Sequence, residues 1–305
     1  MALVATQFPL SLSAYLQAST ERCDACLQSL PDKYTLKGVE ATARFHHLRL
    51  DGNGIPKFRE LAECLADHIT YYCCTAQKRA RAMTDDELLL LRREARTFFR
   101  DEKRSGEAGE MLLYFLLEAI LGAPQMVTKI SLKTNPQLET FGSDGIHMKW
   151  HDADRLLDVF FGEAKLYQEI SDAAAKAVTS IEGFHENDMA RFELGMVTSH
   201  FKHADGPTKD AVLSYVDRAG SAVNCRINHA CLLGYDWNAY AKLPMGAMDT
   251  MVAAFQDAYR TDLPRLQKIL DDRFSRFADK RLRFEVFLVP FASVDEFRNA
   301  FQGAL

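Results

Sequence analysis

The sequence predicts a mixed α/β fold in which a core running helix, three strands, helix, strand carries helical and strand additions at both termini. Three observations predict it. "EAGEMLLYFLLEAILG", residues 107–122, repeats apolar residues at helical spacing and ends on a glycine with Pro124 just beyond, the pattern of a buried helix with a glycine stop. Three short apolar segments joined by turn-forming stretches follow it. A long segment of helical composition and a further apolar strand complete the order.

Ahead of this core, "GVEATARFHHLRL" (38–50) reads as a strand closed by the turn signal "DGNG". A helix is expected from about Lys57 to Arg81, and a second opens at Thr84, an N-cap followed by acids in the first turn. The three core strands are "MVTKISLKT" (126–134), "IHMKW" (146–150) and "RLLDVFFGEAKLY" (155–167), separated by "NPQLETFGSDG" and "HDAD". "SDAAAKAVTSIEGFHENDMARFELGMV" (171–197) is helical, and "INHACLLGYDW" (227–237) is the next strand. A helical stretch bent near Pro264, the strand "RFEVFLVPF" and a short terminal helix end the chain. These divide the chain into an N-terminal strand and helical region (1–104), the core (105–240), and C-terminal helices with a final strand (241–305) that belong to the same globular unit.

Composition narrows the function classes. With 305 residues, 48% of them hydrophobic and 26% charged, the chain can bury a sizeable core as one large domain or two modest ones. No apolar run reaches the ~18 residues of a membrane span, and the N-terminus lacks a basic start, so a cytoplasmic protein is expected. The net charge of -5 excludes a protein that wraps nucleic acid with its whole surface, but leaves room for a local basic patch. The densest basic run is "RREARTFFRDEKR", with Arg92, Arg96 and Arg100; alone, such a run is a solvated helix face. Seven cysteines form no regular framework, and "CDAC" (Cys23, Cys26) has no second pair at zinc spacing, which favours free thiols.

One segment carries chemistry. In "FFGEAKLY" (160–167), Glu163 and Lys165 lie two positions apart in a strand, so both point to the face shared by Leu157, Val159 and Phe161. Charges on so apolar a strand need a reason. Asp144, in "GSDGIHMKW", lies at the mouth of the preceding strand, with Gly142 and Gly145 permitting a sharp backbone path. If "HDAD" turns a hairpin centred between Asp152 and Ala153, Phe161 stands opposite Asp144 and Glu163 is its diagonal neighbour on the same face. Two carboxylates so placed make an oxygen-rich site for a hard cation such as Mg²⁺, and Lys165 beside them would orient or deprotonate an attacking water. Glu110, early in the apolar helix, is a third acid on a face expected to pack on the sheet.

Glu110, Asp144 and Glu163-x-Lys165, laid on helix, strand, strand, strand, helix, resemble the PD-(D/E)xK nuclease superfamily with its restriction-endonuclease-like α-β-β-β-α-β core. More narrowly, "GEAGEMLLYFLLEAILG", "TKISLKTNPQLETFGSDGIHM" and "LDVFFGEAKLY" resemble the HamA family, nuclease subunits of the Hachiman anti-phage defence system; the likeness is good from Gly106 to Tyr167 and loose on the flanks. The resemblance implies a Mg²⁺-dependent deoxyribonuclease, with Mn²⁺ as a substitute. It implies Asp144 and Glu163 as metal ligands, Lys165 as the catalytic lysine, and Glu110 as the helix-borne acid that joins or supports the metal site. It further implies a superfamily 2 helicase, HamB, as partner and DNA as substrate. Where members of the superfamily often place a proline before the first acid, this chain has Ser143.

A helicase that delivers the subunit to DNA also fits the acidic surface, leaving Arg92, Arg96, Arg100, Lys129 and Lys133 for a local DNA path or a partner face. Two alternatives stay open on the residues alone: a repair or RNA-processing nuclease of the same core, and an idle member of the fold that binds DNA or a partner. The histidines read as structural. His46 and His47 are adjacent in a strand and face opposite ways, His147 points away from Asp144, His151 sits in a turn, and His200 and His203 precede a Gly-Pro loop signal.

Overall fold

The computed structural model describes residues 12–99, 106–128, 142–153, 155–199, 202, 206–216, 225–244, 246–277 and 282–305. Arg100, Lys129, Lys133, His200 and His203 lie outside the described residues.

After a short 3₁₀ turn at Leu12–Tyr15, the elements before the core are α1 (Thr20–Cys26), β1 (Leu27–Thr35), β2 (Glu40–Leu48), α2 (Phe58–Asp67), α3 (Ile69–Cys73), α4 (Ala76–Arg81) and α5 (Asp85–Thr97). The core follows as α6 (Glu107–Leu116), β3 (Gln125–Thr128), β4 (Gly145–His151), β5 (Leu156–Tyr167), α7 (Ile170–Glu186), α8 (Met189–Ser199), α9 (Gly206–Val216) and β6 (Cys225–Asp236). α10 (Met248–Phe274), β7 (Arg283–Phe291) and α11 (Val294–Ala304) end the chain. The expected order of helix, three strands, helix, strand is therefore present, with α8 and α9 inserted before β6.

The described strands form one seven-stranded sheet in the order β1-β2-β7-β6-β5-β4-β3, so strands from all three sequence regions share it. β5, β6, β7 and β2 run parallel, and β1, β4 and β3 add antiparallel edges. The parallel strands β6 and β7 are near-continuous apolar runs because helices cover both of their faces. On one face, Met111–Leu116 of α6, with α2 and α11, pack against Ala230, Leu232, Phe287 and Val289. On the other, Ala173, Ala177 and Ile181 of α7 and Phe255 and Leu266 of α10 pack against Cys231, Leu233, Val286 and Leu288. His46 and His47 confirm the alternation: His46 meets Phe287 on the first face and His47 meets Phe255 on the second.

Four local features depart from the sequence expectations. The helix expected over 57–81 is three helices. His68 bonds back to the Cys64 carbonyl at the first break, and the Thr75 hydroxyl caps a new start by accepting from the Lys78 N–H. The long segment from 171 divides at Asn187–Asp188, where Asp188 takes a left-handed φ of 51°. β1 escaped notice because Pro31 and its charges look unlike a strand; it is an edge strand with an irregular register, where proline is tolerated. The fourth feature is the hairpin between β4 and β5. Ile146, and not Asp144, pairs with Phe161, because His151 pairs with Leu156 and the turn between them holds four residues, with Arg155 at φ 52°.

Glu118, at the π-turn that ends α6, is buried and structural. Its carboxylate accepts the backbone N–H groups of Gln17, Ala18 and Gln125 at 2.7, 2.9 and 3.1 Å. The chain then leaves through Gly122 in a left-handed conformation, as its glycine stop predicts. No described helix is long and apolar enough to cross a membrane.

Candidate functional site

The two-residue shift of the hairpin brings the site closer together than the sequence suggests. Extending the observed register places Asp144 level with Glu163 itself, two residues beyond Ile146, the last β4 residue paired with β5. Its N–H donates to the Gly162 carbonyl at 2.8 Å, and its Oδ2 accepts from the Ala164 N–H at 2.8 Å. Asp144 is thus held by backbone on either side of Glu163, by Gly162 through its own N–H and by Ala164 through its carboxylate. Gly145 and Gly162, where the two backbones approach, have little room for a Cβ: at Gly162 it would stand 3.2 Å from Leu113.

Glu163 and Lys165 point to the α7 face of the sheet, as the alternation requires. Leu157, Val159 and Phe161, upstream on that face, are buried in one apolar cluster. Glu163 is 7% exposed and ion-paired with Lys165, and it also receives a hydrogen bond from Ser180 of α7. Burial, and then the charge of Asp144, push the Glu163 carboxyl up to about 7, against the smaller opposing pull of Lys165 and Ser180. For Lys165, burial acts to lower the ammonium pKa, but the charge of Glu163, its hydrogen bond and Asp144 outweigh this and raise it. The result is a lysine that stays charged beside a carboxyl poised near neutrality.

Glu110 reaches the site from the opposite face. α6 lies against β5 through Gly109, where a Cβ would stand 3.1 Å from Leu166 and 3.3 Å from Ala164. From there Glu110 meets the buried Tyr72 of α3, whose hydroxyl lies 3.5 Å from Glu110 Oε2 and 3.3 Å from the Asp144 carbonyl oxygen. Burial, then Glu110 and Asp144, push the Tyr72 phenol well above its ordinary range, so it remains a donor.

The donor set suits a hard divalent cation. The carboxylates of Asp144 and Glu163 are close enough that the charge of Asp144 raises Glu163, and a shared positive charge would relieve that repulsion. Glu110 stands one hydroxyl away from Asp144. Among the described residues, no group of three or more His, Cys, Asp and Glu side chains is arranged to hold a metal ion. A cavity of about 510 Å³ opens beside Glu163 between β5 and α7, lined also by Ser143, Phe161, Ser180, Asn187 and His229.

Of the expected basic residues, Arg92 and Arg96 are exposed on α5, which begins at the predicted N-cap Thr84, where Glu87 completes a capping box, and packs against α3, the helix of Tyr72. Arg92 lies 3.5 Å from Asp67. The His147 ring donates from Nδ1 to the Ala123 carbonyl at 2.8 Å, away from Asp144. Cys23 and Cys26 are buried free thiols, and burial pushes Cys23 up to about 12. Sequence reasoning missed Tyr72, Ser180 and the pair His185 and His229, whose Nε2 atoms lie 2.7 Å apart. Ser180 carries a signal, a hydroxyl inside the apolar stripe of Ala177, Ile181 and Phe184.

The family model described as HamA matches residues 25–305. The chain belongs to the HamA family. HamA is a component of the Hachiman defence system. No curated protein matches the chain. The family span includes Tyr72, Glu110, Asp144, Glu163, Lys165 and Ser180, and it runs from before β1 to the last helix, so the edge strands and β7 belong to the family's fold together with the site.

Proposed function

We propose that this HamA-family chain is a metal-dependent DNA nuclease of the PD-(D/E)xK type, the effector that works with the superfamily 2 helicase HamB. The observation that carries the reading is the meeting of Asp144, Glu163 and Lys165 at one end of a buried strand, with Glu163 pushed up to about 7. Charged groups so placed are unfavourable unless a site uses them. The element order from α6 to β6 supports the PD-(D/E)xK assignment.

When bound, Mg²⁺ would polarise the scissile phosphate and lower the pKa of a coordinated water. Asp144 and Glu163 would hold it with hard oxygen ligands, and Mn²⁺ would substitute. The backbone N–H of Ala164 keeps the Asp144 carboxylate in register with Glu163. Glu110 supports the site from the helix through Tyr72. Lys165, charged and on the same face as Glu163, orients the attacking water and offsets negative charge that develops on the phosphate oxygens. Arg92 and Arg96 supply the local cationic face toward DNA or the helicase, which reconciles phosphate binding with a net charge of -5.

The purified chain, alone and with its helicase, is expected to degrade plasmid DNA in Mg²⁺ and not in EDTA, and to co-purify with the helicase. Degradation that persists in EDTA contradicts the metal-dependent reading, and failure to co-purify contradicts the partner. Tyr72→Phe, which removes only the hydroxyl between Glu110 and the Asp144 backbone, is expected to slow cleavage about tenfold with little change in melting temperature. An unchanged rate would disconnect Tyr72 from the site.

A further inference from the structure

The chain just before Asp144 is held by a residue from outside the core order. Glu193, on the inserted helix α8, is 6% exposed and accepts the Ser143 N–H with Oε1 at 2.5 Å, while its Oε2 accepts the Ser143 hydroxyl. Ser143 is buried as well. Gly142 completes the clamp: it sits at φ 124°, in the region glycine alone enters readily, and a Cβ there would overlap Glu193 Oε1. A buried carboxylate needs donors, and residue 143 supplies two from one position.

Asp144 is therefore fixed on both sides. Behind it, Glu193 anchors Ser143; ahead of it, Gly162 and Ala164 bond its backbone and carboxylate. We infer that Glu193 is a positioning residue for Asp144, and that it makes the geometry of the metal site depend on where α8 sits. The inference rests on the nuclease reading for its consequence, since what the clamp positions is a proposed metal ligand. Glu193 itself does not act on substrate. Because it rides on α8 and not on the sheet, displacing α8 would release Ser143 and loosen Asp144 with it, weakening the site without touching its proposed catalytic groups.

The test uses the full chain and two readings: the Mg²⁺ dissociation constant by calorimetry, and amide exchange of the Ala164 N–H in metal-free protein, which reports whether Asp144 is in place. Glu193→Ala is expected to weaken Mg²⁺ binding by about tenfold or more and to speed Ala164 exchange by a similar factor. Glu193→Gln should lie between, because its amide oxygen still accepts the Ser143 N–H. Phe192→Ala, at the exposed neighbour on α8, should leave both readings at wild-type values. Both readings within about twofold of wild type in folded Glu193→Ala would overturn the inference. If that variant fails to fold, Ser143→Ala, which removes one of the two donors, decides by the same readings. If wild type binds Mg²⁺ no better than Asp144→Asn, the nuclease reading fails, and the Ala164 exchange still decides the clamp.

Discussion

Lys165→Ala is expected to lower Mg²⁺-dependent DNA cleavage by about 10² to 10⁴-fold, or about 3 to 5 kcal/mol of transition-state stabilisation. The size follows from what the side chain does. It is a cation on the proposed catalytic face, partly exposed near the end of a buried strand and paired with Glu163, and its ammonium is held charged by Glu163 and Asp144. The fold should survive its loss, because Glu163 is already poised near neutrality and can take up a proton when its partner leaves. Single-turnover cleavage and a thermal melt distinguish the two effects. A folded variant that still cleaves within about tenfold of wild type would remove Lys165 from the chemistry.

The second large effect is on pH. The folded pKa of Glu163 is about 7, above its ordinary value of 4.5, so in metal-free protein its contribution to stability is fully present below about 4.5 and is lost as pH rises through about 7. Above that point a buried carboxylate faces Asp144 with Lys165 as its offset. A divalent cation reverses the preference, because it binds the ionised form and must displace the proton. Mg²⁺ affinity is therefore expected to fall by about tenfold for each pH unit below about 7 and to level off above it. Lys165, raised above its ordinary 10.5, stays charged throughout this window. In a thermal-shift titration, Mg²⁺ should raise the melting temperature strongly near pH ~8 and hardly at all near ~5.5. An equal rise at both pH values would show that Glu163 is not a ligand.

Much of this site was legible in sequence because its strands are so apolar. On "LLDVFFGEAKLY" alternation alone puts Glu163 and Lys165 on one face, and Gly142 and Gly145 mark the sharp path around Asp144. The register was misjudged because it depends on turn geometry: a four-residue turn with Arg155 in the left-handed region moves the pairing by two, which preserves the face and brings Asp144 level with Glu163. What stayed hidden are groups that reach the site from far along the chain. Tyr72 lies on a helix separated by His68 from the one before it, in a stretch whose helical spacing reads as continuous. Glu193 looks like any helix-surface acid until α8 folds back on Ser143. β1 shows the same limit, since an edge strand with a proline has no local pattern of its own and is defined by β2 beside it.

The central claim is that Asp144 and Glu163 share one divalent cation, and anomalous diffraction from crystals soaked in Mn²⁺ tests it most directly. The account predicts a single strong anomalous peak within coordination distance of both carboxylates, with Lys165 beside it, and its disappearance in Asp144→Asn. A peak elsewhere, or none near Glu163 at a pH where its carboxylate is ionised, would contradict it.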